Sequence, residues 1–327
     1  MERVPLTLAC WDYDRTRALV DGTVAPAGIE LTYVVLPPGQ TFSRMLRSHE
    51  FDVSEMSLSA YVESLTQEEP PFIAIPVFPS RIFRHSSIYV STAAGIREPR
   101  DLIGKRVGVP HYPMTAAVWI RGLLSHDFGI SPADLEYYEG GLNAPKKADL
   151  PPPRQKLPVK IYGIPKNSTL SDHLASGKIA GLYTARIPAS FGAGDGRVRR
   201  LFPNSGQIER AYYRRTRIFP IMHTVVIRRG FYRERPWVAT SLYEAFCEAQ
   251  RRCYNELYDT DALRAMLPWL IEQIEDLRRD FGEDWWPYGF KANRHVIETF
   301  LRYHYEQSLS PRLLAPEELF VPAMLAT

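Results

Sequence analysis

The chain has 327 residues, too many for one small core and enough for two lobes of ordinary size. Its apolar share of 45% and charged share of 24% are those of a soluble globular protein, and a net charge of +3 offers no electrostatic footprint for nucleic acid. No window approaches the roughly 20 consecutive apolar residues of a membrane span.

Leu6–Cys10 reads as a first strand, and 12–22 as a short helix opened by capping side chains. Ile29, Leu31, Tyr33 and Val35 alternate as in a second strand, and Phe42, Met45 and Leu46 take helical spacing. A short strand over 51–56 and a helix over 58–65 continue this alternation, the pattern of an α/β sheet. Further on, 106–109 reads as a strand, 115–126 as an amphipathic helix closed by Gly129, and 143–158 as a loop rich in proline and lysine. A short helix over 171–177 leads to a strand over 179–184. From Pro236 the chain is helical, over 237–258, 262–280 and 292–307.

Two segments join a polar cluster to an apolar strand. Ser80–Val90 carries Arg81, Arg84 and His85, and 217–228 carries His223 between Pro220 and the β-branched run that ends at Ile227. They read as the outgoing and returning crossings of a two-lobed protein. The expected division is 1–87 and 222–327 for the first lobe and 88–221 for the second.

Tyr13-Asp14-Arg15-Thr16, Asp52-Val53-Ser54-Glu55-Met56-Ser57, Arg84-His85, the Asp101–Pro110 element, Thr115–Leu124 and Phe219-Pro220-Ile221-Met222-His223 together resemble the 4,5-dihydroxyphthalate decarboxylases. The likeness spans nearly the whole chain. It implies an α/β, two-lobed fold like that of type II periplasmic binding proteins, with a ligand cleft between the lobes and extra C-terminal helices. It also implies a carboxy-lyase that turns a hydroxylated aromatic acid, 4,5-dihydroxyphthalate, into protocatechuate and CO2. Two departures leave the substrate open. His111 stands where an acidic residue is expected, and Gly177-Lys178-Ile179-Ala180-Gly181-Leu182 replaces Gly-Glu-Ile-Asp-Ala-Leu.

Decarboxylation without an electron-sink cofactor requires cations for the carboxylates, a positioned acid for the ring carbon and a base for the phenol. His223 and His85 are the expected proton carriers, since an imidazole titrates at roughly 6.5, with Glu55 assisting. Arg81, Arg84 and Arg186 suit carboxylates because a guanidinium binds them bidentately. On an extended strand, however, Arg81 and Arg84 face opposite sides. Ser57, His111, Tyr112, Thr115 and Asp14 complete the expected substrate contacts. Each candidate has a structural alternative: a core histidine, a hinge ion pair or, for Glu55, a helix cap.

No cofactor is expected. His85, His111, His223 and Glu55 could supply nitrogen and oxygen ligands to a metal, but none has the short helical spacing of strong metal motifs. Cys10, Cys247 and Cys253 are odd in number and lack metal-ligand spacing, which fits reduced thiols. The N-terminus runs into strand-like sequence without an export signal, so a cytoplasmic location is expected. The expected partner is the small aromatic acid, with no membrane or nucleic acid. Trp269, Trp285, Trp286 and Tyr303 could bury a homo-oligomer interface or cover the first lobe. Two other readings stand beside the decarboxylase: a solute-binding protein or sensor without chemistry, and another enzyme on the same scaffold, such as those of the futalosine route to menaquinone.

Overall fold

The computed structural model describes residues 3–146 and 155–327, so part of the proline-rich 143–158 segment lies outside the described residues. Eleven strands occur among the described residues: β1 (Val4–Cys10), β2 (Ile29–Val35), β3 (Val53–Ser57), β4 (Phe72–Arg81), β5 (Ile88–Ser91), β6 (Arg106–Val109), β7 (Glu136–Glu139), β8 (Ile161–Gly163), β9 (Gly181–Tyr183), β10 (Val198–Arg200) and β11 (Ile221–Arg228). They form two sheets, and the chain divides into two compact units.

The first unit comprises Met1–Arg81, Ile221–Ile297 and Ala315–Thr327, and its sheet has the order β2-β1-β3-β11-β4. β1 runs parallel to β2 and β3, whereas β11 is antiparallel to β3 and β4. Val225, Val226 and Ile227 are fully buried, as expected of a strand with neighbours on both sides and cover on both faces. The β-branched run of the sequence is therefore the inner strand that closes this sheet.

β4 was not evident in the sequence because Pro76 and Pro79 interrupt it. Proline cannot donate to a ladder, so such a strand belongs at an edge, and β4 ends the sheet. Its register against β11 slips on both sides of His223: Ile221 faces Arg81, His223 faces Ser80, and Val225 faces Ile75. The extra residues of β4 bulge out, and their carbonyls find donors outside the ladder. Pro76 O accepts from Gly289 N–H (2.8 Å), Phe78 O from the Trp286 indole (2.8 Å) and Pro79 O from Arg15 Nε (2.7 Å). Such bulges bend a strand and re-aim neighbouring side chains, here those around His223.

The second unit comprises Ile82–Pro220 and Glu298–Leu314, with a sheet of order β10-β5-β9-β6-β7-β8. β6 is parallel to β7 and β9. The helix Thr115–Phe128 ends at Gly129, whose φ of +67° is the left-handed conformation that glycine adopts without strain. At Gly122 of that helix a Cβ would lie 2.0 Å from the Tyr303 ring, so only glycine allows the approach. Trp119 packs on Phe300 and Tyr303, with ring centroids 5.3 and 5.7 Å away. These contacts explain why residues 298–314 group with this unit, whereas the sequence division kept all of 222–327 in the first.

Two other expectations change. The helix expected over 262–280 is ordered as Leu270–Phe281 only. Pro268 disfavours a helical residue before it, which delays the start. The segment after Arg81 is not extended; His85–Ser87 form a 3-10 turn before β5. Arg81, Phe83 and His85 therefore do not line one strand face. No helix among the described residues is long and apolar enough to cross a membrane.

Candidate active site

The first unit gathers its chemistry on Glu55, in the middle of β3 and wholly buried. On the antiparallel β3–β11 pair His223 lies opposite Ser57 and Val225 opposite Glu55, which makes Glu55 and His223 diagonal neighbours on one face. His223 Nδ1 is 2.6 Å from Glu55 Oε1. Tyr13, just beyond the end of β1, donates its hydroxyl to the same oxygen at 2.6 Å. The other oxygen accepts from Trp11 N–H at 3.1 Å and from the Cys10 thiol at 3.5 Å. Four donors thus converge on one buried carboxylate.

That set decides its charge. Burial pushes the Glu55 carboxyl up, but the adjoining His223 charge and the hydrogen bonds from His223, Tyr13 and Trp11 outweigh it, and the carboxyl is held below its usual range. Burial, then the neighbouring Glu55 charge, drives the Tyr13 phenol far above its usual range, so it stays a donor. With Nδ1 engaged by Glu55, Nε2 is the ring nitrogen left to exchange a proton with a ligand. The edge of Phe42 meets the imidazole at 4.9 Å between centroids and limits its rotation. The His223 side chain keeps 18% of its surface exposed, enough for a ligand to touch it.

Tyr13 was missed as a site residue in the sequence, where only its neighbour Asp14 was singled out. Asp14 is half exposed and paired with Arg15, whose guanidinium lies 4.2 Å from the ring centroids of both Tyr13 and Trp286. Arg15 therefore fixes the phenol ring that holds Glu55. The available signal was position: a tyrosine just past the carboxyl end of a parallel strand, where ligands gather in open α/β sheets. Tyr13→Phe removes one hydrogen bond to a charged acceptor and should lower kcat about tenfold with KM little changed, checked by steady-state kinetics.

Arg81 is buried in the first unit and spends its Nη2 on Asn293 Oδ1 and on Pro287 O, the latter at 2.9 Å. It fastens the loop before the C-terminal helix, which is a structural task. In the second unit His85 is 2% exposed, with Phe202 and Tyr212 against its ring at 5.7 and 5.1 Å. Burial, helped by the Arg215 charge, lowers its pKa to about 4, so it is a neutral core imidazole at ordinary pH. Arg84, 7% exposed, has its pKa lowered by burial to about 10. Of the three arginine candidates, Arg186 is the exposed one. Thr115 is buried at the first turn of its helix. Among the described residues no three His, Cys, Asp or Glu side chains group as metal ligands, and the set His85, His111, His223 and Glu55 is not assembled as such.

Comparison with known proteins identifies the family. The chain is 38% identical over 325 residues to a 4,5-dihydroxyphthalate decarboxylase of Comamonas testosteroni, covering 99% of this chain and 98% of that one. A 4,5-dihydroxyphthalate decarboxylase of Pseudomonas putida is 36% identical over 214 residues, covering 65% of this chain and 83% of that one. The chain belongs to the 4,5-dihydroxyphthalate decarboxylase family. No family model matches it. Solved structures show the fold of this decarboxylase family member to be that of periplasmic binding proteins. The sulfonate-binding protein SsuA of Methylobacillus flagellatus KT superposes with a TM-score of 0.58 at 16% identity, covering 100% of this chain and 94% of that one. The desulfurization enzyme DSZB superposes with a TM-score of 0.53 at 14% identity, covering 99% and 98%.

In this family member His111 stands beside an acidic residue of the neighbouring strand. Glu139 of β7 accepts from Tyr112 N–H and lies 3.5 Å from His111 Nδ1, with Lys146 Nζ at 3.8 Å from its other oxygen. Burial raises the Glu139 carboxyl, but His111, Tyr112 N–H and Lys146 together hold it below its usual range. Glu139 of the neighbouring strand thus places an ionised carboxylate beside His111. Tyr112 itself is fully buried.

Proposed function

We propose that the protein is a carboxy-lyase that converts 4,5-dihydroxyphthalate to protocatechuate and CO2, with His223 delivering the proton to the ring carbon. The observation that carries this reading is the 2.6 Å contact of His223 Nδ1 with the buried Glu55, which leaves Nε2 as the transferable position. The relatives named for this reaction supply the substrate.

In 4,5-dihydroxyphthalate each carboxyl-bearing carbon has a hydroxyl para to it, so the ring activates itself. The para hydroxyl oxygen, which keeps its own proton, pushes an electron pair toward that carbon, whose carboxylate is ionised and which takes a proton from the His223 imidazolium. The bond to the carboxyl carbon then breaks, its electron pair returns to the ring and CO2 leaves. One proton has replaced one CO2, and no oxidant or electron sink is consumed. For that reason no cofactor is needed in this scheme. Glu55 stabilises the imidazolium before transfer, and Tyr13 holds Glu55 in place.

The three free thiols fit a reducing cytoplasm. For a homo-oligomer, Trp285 and Tyr303 are buried within their own chain, whereas Leu263, Met266, Leu267 and Trp269 are among the exposed apolar residues that a second copy would cover.

Incubating the purified protein with 4,5-dihydroxyphthalate in D2O should give protocatechuate carrying one deuterium at the vacated carbon, read by NMR. Substrate recovered unchanged, while bound, would turn the reading toward a solute-binding protein.

A further inference from the structure

Arg121 in the helix Thr115–Phe128 is 1% exposed and forms no ion pair among the described residues, although Glu306 lines a surface depression that Arg121 also borders. Its Nε donates to Gln307 Oε1 at 2.7 Å and its Nη2 to Tyr112 O at 2.8 Å, while Nη1 is buried without a partner. Around it stand three tyrosines, Tyr112, Tyr137 and Tyr183, all fully buried and all with hydroxyls that meet no protein partner. The guanidinium carbon lies 3.7 Å from the Tyr112 ring centroid and 5.8 Å from that of Tyr137. The Tyr112 and Tyr137 rings meet edge to face at 4.9 Å.

The sheet explains why these groups converge. Val107 of β6 faces Tyr137 of β7 on one side and Gly181 of β9 on the other. Side chains two apart on a strand share a face, so Tyr183 projects on the same side as Tyr137. Burial, followed by the neighbouring Tyr183 charge, keeps the Tyr137 phenol far above its usual range. For Tyr183 burial again dominates over the opposing Arg121 charge. The hydroxyls are therefore proton-bearing.

Buried polar groups are almost always paired, and a buried cation is costly unless a counter-charge meets it. Here the cation's free N–H and three O–H groups all lack acceptors, and the Arg121 charge reaches all three phenols. A ligand that offers acceptors and negative charge satisfies every one of them; a water molecule leaves the charge uncompensated. We propose that Arg121 Nη1 and the hydroxyls of Tyr112, Tyr137 and Tyr183 form an internal binding site for a small monovalent anion of halide size, which stabilises the second unit. All three phenols are fully buried, so the occupant is small. The surface depression that Arg121 borders, of about 300 Å³, is lined by Ser125, Gln307 and the His126–Glu306 pair, in which the Glu306 carboxylate is engaged by His126 at 2.7 Å.

The test uses the whole protein and bromide as the probe. Crystals grown or soaked in bromide should show one anomalous peak in hydrogen-bond contact with Arg121 Nη1. In solution, Tm should rise by a few degrees and saturate as chloride replaces gluconate at fixed ionic strength. Tyr183→Phe should move the midpoint of that rise to several-fold higher chloride, and Arg121→Met should abolish the rise. Should Arg121→Met fail to fold, Tyr183→Phe and the bromide peak still decide. Water without anomalous signal at Nη1, or a chloride response unchanged in the Tyr183→Phe protein, overturns the proposal.

Discussion

Replacing His223 by alanine is expected to lower kcat for 4,5-dihydroxyphthalate by about a thousandfold, within the range a positioned general acid contributes, while KM stays within a few-fold. The split follows from the role. Nε2 acts only when the ring carbon takes its proton, so its loss falls on the transition state and spares ground-state binding. Folding should survive, because His223 is partly exposed and its neighbours Met222, Thr224 and Val225 carry the burial of β11. Steady-state kinetics with a thermal melt of the same preparation checks both halves. A variant that melts normally and turns over at the wild-type rate would make His223 a structural residue.

The second large effect concerns Glu55. Glu55→Gln keeps an oxygen that can accept from His223 Nδ1 but removes the charge that balances the imidazolium, and kcat should fall about a hundredfold. The same substitution changes stability in a pH-dependent way. The Glu55 carboxyl is held below its ordinary value of 4.5 in the folded protein. A depressed carboxyl contributes stability that is fully present above the unfolded pKa and is lost as pH falls through the folded one. The native protein should therefore lose stability with acid over the range below 4.5, and Glu55→Gln should show a flatter dependence there. At neutral pH the variant should be less stable by about 2 kcal/mol, the worth of a hydrogen bond to a charged group. Urea unfolding at several pH values measures both effects, and parallel curves for the two proteins would show that Glu55 is not the ionised hub described above.

Much of the fold was legible because its strands announce themselves locally. The alternation of Ile29, Leu31, Tyr33 and Val35 and the β-branched run to Ile227 became β2 and β11. β4 was hidden because Pro76 and Pro79 are ordinarily evidence against a strand, and only an edge position with outside donors for its carbonyls reconciles them. The site was legible in part. His223 and Glu55 were named from residue type, but their pairing depends on a β3–β11 register between residues 168 apart in sequence. The link from Tyr13 depends on the parallel placement of β1 beside β3, which no local pattern reports. His85 was the opposite case. Its residue type promised chemistry, and the aromatic cage of Phe202 and Tyr212, from distant segments, makes it a neutral core residue. Arg81 likewise carries the right charge but is committed to Asn293 and Pro287.

Decarboxylation of 4,5-dihydroxyphthalate by way of His223 joins the family membership to the geometry of the site. The most direct measurement supplies carboxyl-labelled 4,5-dihydroxyphthalate to the wild-type protein and to His223→Ala and counts labelled CO2 against protocatechuate. Equal amounts of CO2 and protocatechuate are expected from the wild type, and bound substrate with almost no release from the variant. Equal release by the two proteins, or substrate recovered intact from the wild type, would contradict it.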